Sequence, residues 1–265
     1  MPRSARIISN TNIYHVMIRG INRQIIFEDD EDYKKFLYIL LDCVKKTECR
    51  IYAYCLMPNH VHLLVDPRFS TIETVMKSIG IRYARFYNDK YQRTGHLFQD
   101  RFRSENVEDD RYFLVVLRYI LQNPLKAGLE NELGQYPWSS YKIYKNGNDY
   151  ITDAKFAIDL AGDKEKLLEF LNEKNDDEAM EMKTHRKIRL NDAKDVLEAV
   201  SGCRNVADFQ NMDSDEQAKT IEELYKRGLS MFQISLLSGK SKTTIYRKLK
   251  GETKEPSLRS TLMGL

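Results

Sequence analysis

No apolar run in the chain approaches the ~20 residues that a membrane-spanning helix needs; stretches such as Phe113–Leu117 are far shorter. A leader with an apolar core is also lacking at the amino terminus, so the expectation is a cytoplasmic protein. The four cysteines, Cys43, Cys49, Cys55 and Cys203, form no C-x-x-C pair and no other zinc-ligand spacing. That pattern argues against a zinc module or a disulfide framework and predicts reduced, mostly buried thiols. Internal repeats are absent, and 42% hydrophobic with 31% charged residues is not the bias of a disordered polymer. At 265 residues the chain can bury one good core or two separate ones.

Tyrosine, by contrast, is abundant, with 16 residues, and charge is spread unevenly around a net +3. Between positions 77 and 103, Lys77, Arg82, Arg85, Lys90, Arg93, Arg101 and Arg103 stand against only Asp89 and Asp100. Tyr83, Phe86, Tyr87, Tyr91, Phe98 and Phe102 are interleaved with them. Cations neutralise phosphates and aromatic faces stack unpaired bases, so the mixture suits single-stranded nucleic acid. Solvated cations beside core aromatics would produce the same string.

The alternating segment Asn12–Arg19 predicts a first strand, ended by Gly20. The acidic run Glu28–Asp32 marks the start of a helix with apolar positions at Tyr33, Phe36, Leu37, Ile39, Leu40 and Val44, ending near Thr47. Arg50–Leu56 and His60–Asp66 read as a hairpin about Met57-Pro58-Asn59. A long helix from about Thr71 to Lys90, an extended segment Leu97–Val107, and a helix Asp110–Gln122 stopped by Pro124 complete the pattern. The order predicts an α+β fold, an antiparallel sheet with helices packed on it. Past Tyr136–Tyr141 the chain becomes helical, and the charge-dense run Glu173–Lys187 is the expected boundary. The predicted organisation is 1–145, a helical connection over 146–190, and an all-α domain over 191–265.

His60-Val61-His62 carries the first chemical signal. In a strand, both imidazoles point to one face and Val61 to the other, so the pair can chelate one cation, although paired structural histidines are the commoner outcome. Tyr119 and Asn123 are four apart and share a helical face. The Asn123 amide oxygen could complete such a metal site, with Tyr119 one turn away. Taken alone, Tyr119 reads as a core or edge residue.

Five ordered motifs change that weighting: Tyr14-His15-Val16 with Arg19-Gly20, Met57-Pro-Asn-His-Val-His-Leu-Leu-Val65, Thr94-Gly-His-Leu-Phe98 with Arg101-Phe102, Tyr119-Ile-x-x-Asn-Pro124 with Ala127-Gly128, and Trp138-Ser-Ser-Tyr141. Over residues 7 to 142 the chain resembles the single-tyrosine HUH transposases, most closely their REP-associated branch. The resemblance implies a ferredoxin-like sheet, Tyr119 as nucleophile, and Mg²⁺ or Mn²⁺ held by His60, His62 and Asn123. Some relatives have Gln where Asn123 stands. It also implies single-stranded or hairpin DNA as partner; the candidate contacts, several of them from the basic stretch, are Arg19, Arg23, Arg82, Arg85, Arg93, His96, Arg101 and Arg103. Both monomers and homodimers occur among such proteins. His15 is expected to be structural, and neither it nor His96 is placed in the metal site.

Residues 213 to 250 have the rhythm of three short helices, with Asp213, Ser230 and Ser241 as candidate caps. The segment from Gly228 to Leu249 resembles the helix-turn-helix of resolvases. Its last helix would present Lys242, Thr243, Thr244, Tyr246 and Arg247 to DNA, and Lys240–Lys250 holds five basic residues and no acid. The alternative is a small bundle used for packing or dimerisation. For the whole chain the rival readings are a DNA-binding regulator with little catalysis and a metal-dependent nuclease that uses water.

Overall fold

The computed structural model describes residues 8–147, 149–174, 190–227, 229 and 231–249. The chain divides into two compact units, Met1–Arg189 and Leu190–Leu265.

In the first unit the elements run β1 (Tyr14–Arg19), α1 (Asp30–Thr47), β2 (Arg50–Met57), β3 (His60–Asp66), α2 (Ile72–Lys90), β4 (Arg103–Asn106) and α3 (Asp110–Ala127). The four strands form an antiparallel sheet in the order β2-β3-β1-β4, the ferredoxin-like arrangement expected from the sequence. Alternation along the strands creates two faces. Tyr14, Val16, Ile18, Val61, Leu63 and Val65 pack under α1 and α2. Cys55, Met57 and Leu64 lie on the other face, in the cluster that α3 closes with Phe113, Val116, Leu117, Ile120 and Leu121.

Local chemistry explains the boundaries. Asp29 caps α1 and forms a capping box with Asp32, so the acidic run does start the helix. Thr71 caps α2 and Asp109 caps α3. Two expectations need correction. The extended segment is a strand only over Arg103–Asn106. Pro124 does not stop α3, which continues to Ala127 and ends where Gly128 adopts the left-handed conformation, φ 70°, with its N–H bonded to the carbonyls of Leu125 and Pro124. A proline near the end of a helix forfeits one hydrogen bond, and the buried positions around it hold the last turn in place.

The segment 146–172 is more than a connection. After α4 (Tyr141–Asn146), α5 (Ala154–Ala161) and α6 (Lys164–Asn172) supply Ala157, Leu167 and Leu171 to the apolar cluster under α3. Arg118 pairs with Glu173 at 2.8 Å, and Gln122 donates to the Leu171 carbonyl at 2.7 Å. The charged run expected as the boundary lies, beyond Lys174, outside the described residues. All four cysteines are free and buried.

The second unit contains α7 (Leu190–Ser201), α8 (Val206–Asn211), α9 (Ser214–Lys226), α10 (Met231–Ser238) and α11 (Lys242–Leu249). Asp213 caps α9 in a capping box with Glu216, and Ser241 caps α11 by accepting from the Thr244 N–H at 3.1 Å. Gly239, φ 67°, makes the turn between α10 and α11. Ser230 lies outside the described residues.

Candidate active site

The hairpin turn that presents His60 is pinned from several sides. Pro58 O accepts the N–H groups of Ile26 and Phe27, and Asn59 O accepts from Gly20. A side chain at position 20 would meet Gln24 O at 2.4 Å, so glycine is required by the close approach of backbone to backbone. Asn59 Oδ1 lies 2.8 Å from His60 Nδ1, and Asn59 Nδ2 donates to the Arg23 carbonyl at 3.1 Å.

His60 and His62 share the face that α3 covers, as period-two geometry predicts, and their ring centroids are 4.9 Å apart. Register places Arg19 opposite His60 and Met17 opposite both His62 and Arg103. Tyr119 comes to the same place from α3: its ring lies 5.7 Å from that of His62 and 5.7 Å from that of His15, with 7% of the residue exposed. Asn123, half-buried, uses Nδ2 to donate to the Tyr119 carbonyl at 3.0 Å, which leaves Oδ1 as the acceptor end of its amide. Gln122 instead turns its amide nitrogen toward the end of α6, donating to the carbonyls of Leu171 and Glu173.

His15, expected to be structural and outside the metal site, lies directly against His62. Its Nε2 is 2.9 Å from His62 Nδ1, and the residue is fully buried. Only the β1–β3 register could have revealed this, since alternation alone says which face a residue occupies and not which neighbour it meets.

The electrostatics favour neutral imidazoles beside a cationic rim. Burial, reinforced by the charge of Arg19, lowers His60 to about 3. Burial drives His62 well below the ordinary value, with His60, His15 and Arg19 adding to the effect. His15 is lowered too, by burial, against the pull of Glu105. Arg19 falls to about 10 because it is partly buried and repelled by Arg23 and Arg103, with Tyr119 acting in the opposite sense. Gathering these like charges costs free energy that a polyanion relieves. Arg19, Arg101 and Arg103, with Met17, Gln99 and Asp100, line a hollow of about 280 Å³ beside the histidines.

Other candidate DNA contacts lie elsewhere. Arg82 and Arg85 are on α2, which packs on the opposite face of the sheet; they pair with Asp42 at 2.8 Å and Asp89 at 3.7 Å. Arg93 sits over the Tyr87 ring, also on that side. His96 is exposed on the loop preceding Leu97. In α11, Thr243, Tyr246 and Arg247 are exposed, whereas Thr244 is half-buried and bonds its hydroxyl to Ser241. The side chain of Lys242 lies outside the described residues. Among the described residues no three His, Cys, Asp or Glu side chains form a group that could hold a metal ion unaided.

Comparison with known proteins finds likeness to transposases. A curated protein of Haemophilus influenzae described as a REP-associated tyrosine transposase is 30% identical over 101 residues, which cover 34% of this chain and 57% of that protein. The chain thus spans little more than half the length of that relative. A REP-associated tyrosine transposase bound to a REP hairpin aligns with a TM-score of 0.47 at 16% identity, over 58% of this chain and 93% of that one. A transposase from Deinococcus radiodurans aligns with a TM-score of 0.33 at 18% identity, over 49% and 97%. The transposase IS200-like family model matches residues 9–123, the stretch that holds the whole sheet, both histidines, Tyr119 and Asn123.

Proposed function

We propose that the chain cuts and rejoins single-stranded DNA through a covalent bond to Tyr119. The observation that carries this reading is the placement of the Tyr119 ring 5.7 Å from His62, on a sheet face rimmed by Arg19 and Arg103. A phenol is a weak nucleophile at neutral pH and needs a polarised phosphate to attack.

His60, His62 and the Asn123 amide oxygen are the residues that would hold a divalent cation, Mg²⁺ or Mn²⁺. They fit it: the imidazoles are neutral, and each has its Nδ1 engaged by a neighbour, leaving Nε2 for a ligand. With two imidazoles and one amide, phosphate oxygens and water must complete the shell. Such an ion supplies Lewis-acid polarisation of the scissile phosphate.

Arg19, Arg101 and Arg103 bind the flanking phosphates and hold the strand across the face. The Tyr119 hydroxyl attacks phosphorus and the bond to the 3′-oxygen breaks. The products are a 5′-phosphotyrosine and a free 3′-hydroxyl, with the proton lost by the phenol matched by one gained at the leaving oxygen. A second 3′-hydroxyl reverses the step without ATP, so one site serves cutting and joining. Hairpin-forming repeats are the substrate class that fits both units. The basic α11 follows a tight turn, with Thr243, Tyr246 and Arg247 exposed for a duplex stem.

Incubation with hairpin-forming single-stranded oligonucleotides and Mn²⁺ is expected to give a protein–DNA adduct on a denaturing gel. Tyr119→Phe, which removes one hydroxyl and keeps the ring packing, abolishes the adduct while DNA binding survives. Tyr112→Phe retains it. Adduct formation by Tyr119→Phe would sink the assignment of the nucleophile, and cleavage without any adduct would favour hydrolysis by water.

A further inference from the structure

We propose that Glu105 and His15 form a buried relay that fixes the tautomer of His62, leaving its Nε2 free for the cation, and that His15 is therefore a positioning residue. The inference rests on the metal reading above and concerns residues that reading leaves unused.

The geometry runs across four elements. Tyr112, in the first turn of α3, donates its hydroxyl to Glu105 Oε1 at 2.6 Å. Glu105 on β4 is the register partner of His15 on β1, and Glu105 Oε2 faces His15 Nδ1 at 3.6 Å. That is too long for a direct hydrogen bond. Both atoms are nevertheless buried without another partner, so a small turn of the carboxylate satisfies both. On the far side of the ring, His15 Nε2 meets His62 Nδ1 at 2.9 Å.

A neutral imidazole has one donor and one acceptor nitrogen, and their assignment follows from the partners. The carboxylate accepts only, so it selects the His15 tautomer with the proton on Nδ1. Nε2 of His15 is then an acceptor, so the short contact requires the proton of His62 on Nδ1. The lone pair of His62 is left on Nε2. Reversing the chain would aim a lone pair at a carboxylate. His60 reaches the same state through Asn59, whose Oδ1 accepts from its Nδ1. The two histidines thus present matching nitrogens by different local means, in line with the support that metal-bound histidines draw from carboxylates and carbonyls.

The test reads the tautomer first, in metal-free protein, because proton positions on imidazoles are settled by NMR and not by heavy-atom geometry. Long-range ¹H–¹⁵N correlation spectra of the full chain are expected to show His62 protonated on Nδ1. His15→Leu is expected to shift His62 toward the Nε2-protonated form and to weaken Mn²⁺ binding by about 10- to 100-fold, the usual range for lost outer-shell partners. His15→Gln, whose amide can accept from one side and donate to the other, restores both readouts. Glu105→Leu, at a part-exposed position, removes the bias without disturbing the imidazole pair and shifts the tautomer in the same direction; it decides the matter should His15→Leu fail to fold. A wild-type His62 protonated on Nε2, or unchanged tautomer and affinity in these variants, overturns the relay. Failure of wild-type protein to bind Mn²⁺ while His62 carries its proton on Nδ1 supports the relay and overturns the metal reading instead.

Discussion

At Asn59 one carboxamide serves a histidine ring and a backbone loop. It accepts from His60 Nδ1 and donates to the carbonyl of Arg23, a residue held at φ 65°. Asn59→Ala therefore frees a histidine ring and a strained loop together. The expected cost is about 1 kcal/mol of stability for the lost hydrogen bonds and a roughly 10-fold weaker Mn²⁺ affinity. Denaturant titration and calorimetric metal titration measure the two separately, and unchanged affinity would mean that His60 holds its orientation unaided. Residues of this kind show where sequence reading stops. The shared face of His60 and His62 was legible because strand alternation is local, and that of Tyr119 and Asn123 because helical spacing is local; their roles were suggested only by the resemblance. His15 and Glu105 were not, since their meeting depends on which strands become neighbours and in what register. The Thr244 hydroxyl illustrates a related point: Ser and Thr near a helix start divide between capping and outward contacts, and here it bonds to the capping Ser241.

Among the elements, α1 and α2 are fastened by one lysine. Lys90 Nζ lies 2.8 Å from Asp29, 2.9 Å from Glu31 and 2.9 Å from the fully buried carboxylate of Asp32. Lys90→Met strands that buried charge and is expected to cost about 3 kcal/mol in denaturant unfolding at neutral pH. The pH dependence has a definite sign. Burial pushes Asp29 up, but hydrogen bonds from Lys90 and the Asp32 N–H outweigh it and hold the carboxyl below its ordinary value of 3.8. Its stabilisation is thus complete above that value and is lost as pH falls through the lowered one. Lys90 is opposed by burial and raised by its three carboxylates above 10.5, so its share persists below 10.5 and fades at higher pH. The gap between wild type and Lys90→Met is expected to be flat through neutrality and to narrow below about pH 4; a gap that widened in acid would refute the ion-pair account. Helix starts were legible here from their caps, whereas the end of α3 was not. Pro124 is a local stop signal that tertiary packing overrode, and the glycine at 128 sets the true terminus. That Arg82 and Arg85 lie on the α1–α2 side of the sheet was not legible, because clustered arginines reveal composition but not which side of a sheet they reach.

For the molecule as a whole, the two sheet faces divide the labour. The α1–α2 face is a conventional core, while the α3 face combines a core with the histidine cluster of the proposed site. The antiparallel α+β class and the helical second unit were readable from the order of periodic segments. That α5 and α6 would brace α3 was not, because their short amphipathic stretches fit many surfaces. This bracing bears on kinetics. The helix that carries Tyr119 is held to its own sheet by fully buried side chains and to its own α6 by Arg118 and Gln122. The proposed nucleophile and the histidines are thus assembled within one chain, and on that reading no exchange of helices between copies is needed before attack. Adduct formation with saturating DNA is accordingly expected to be first order in protein, with a rate constant unchanged on hundredfold dilution. A rate constant that fell on dilution would mean that the reacting tyrosine is donated by a second copy.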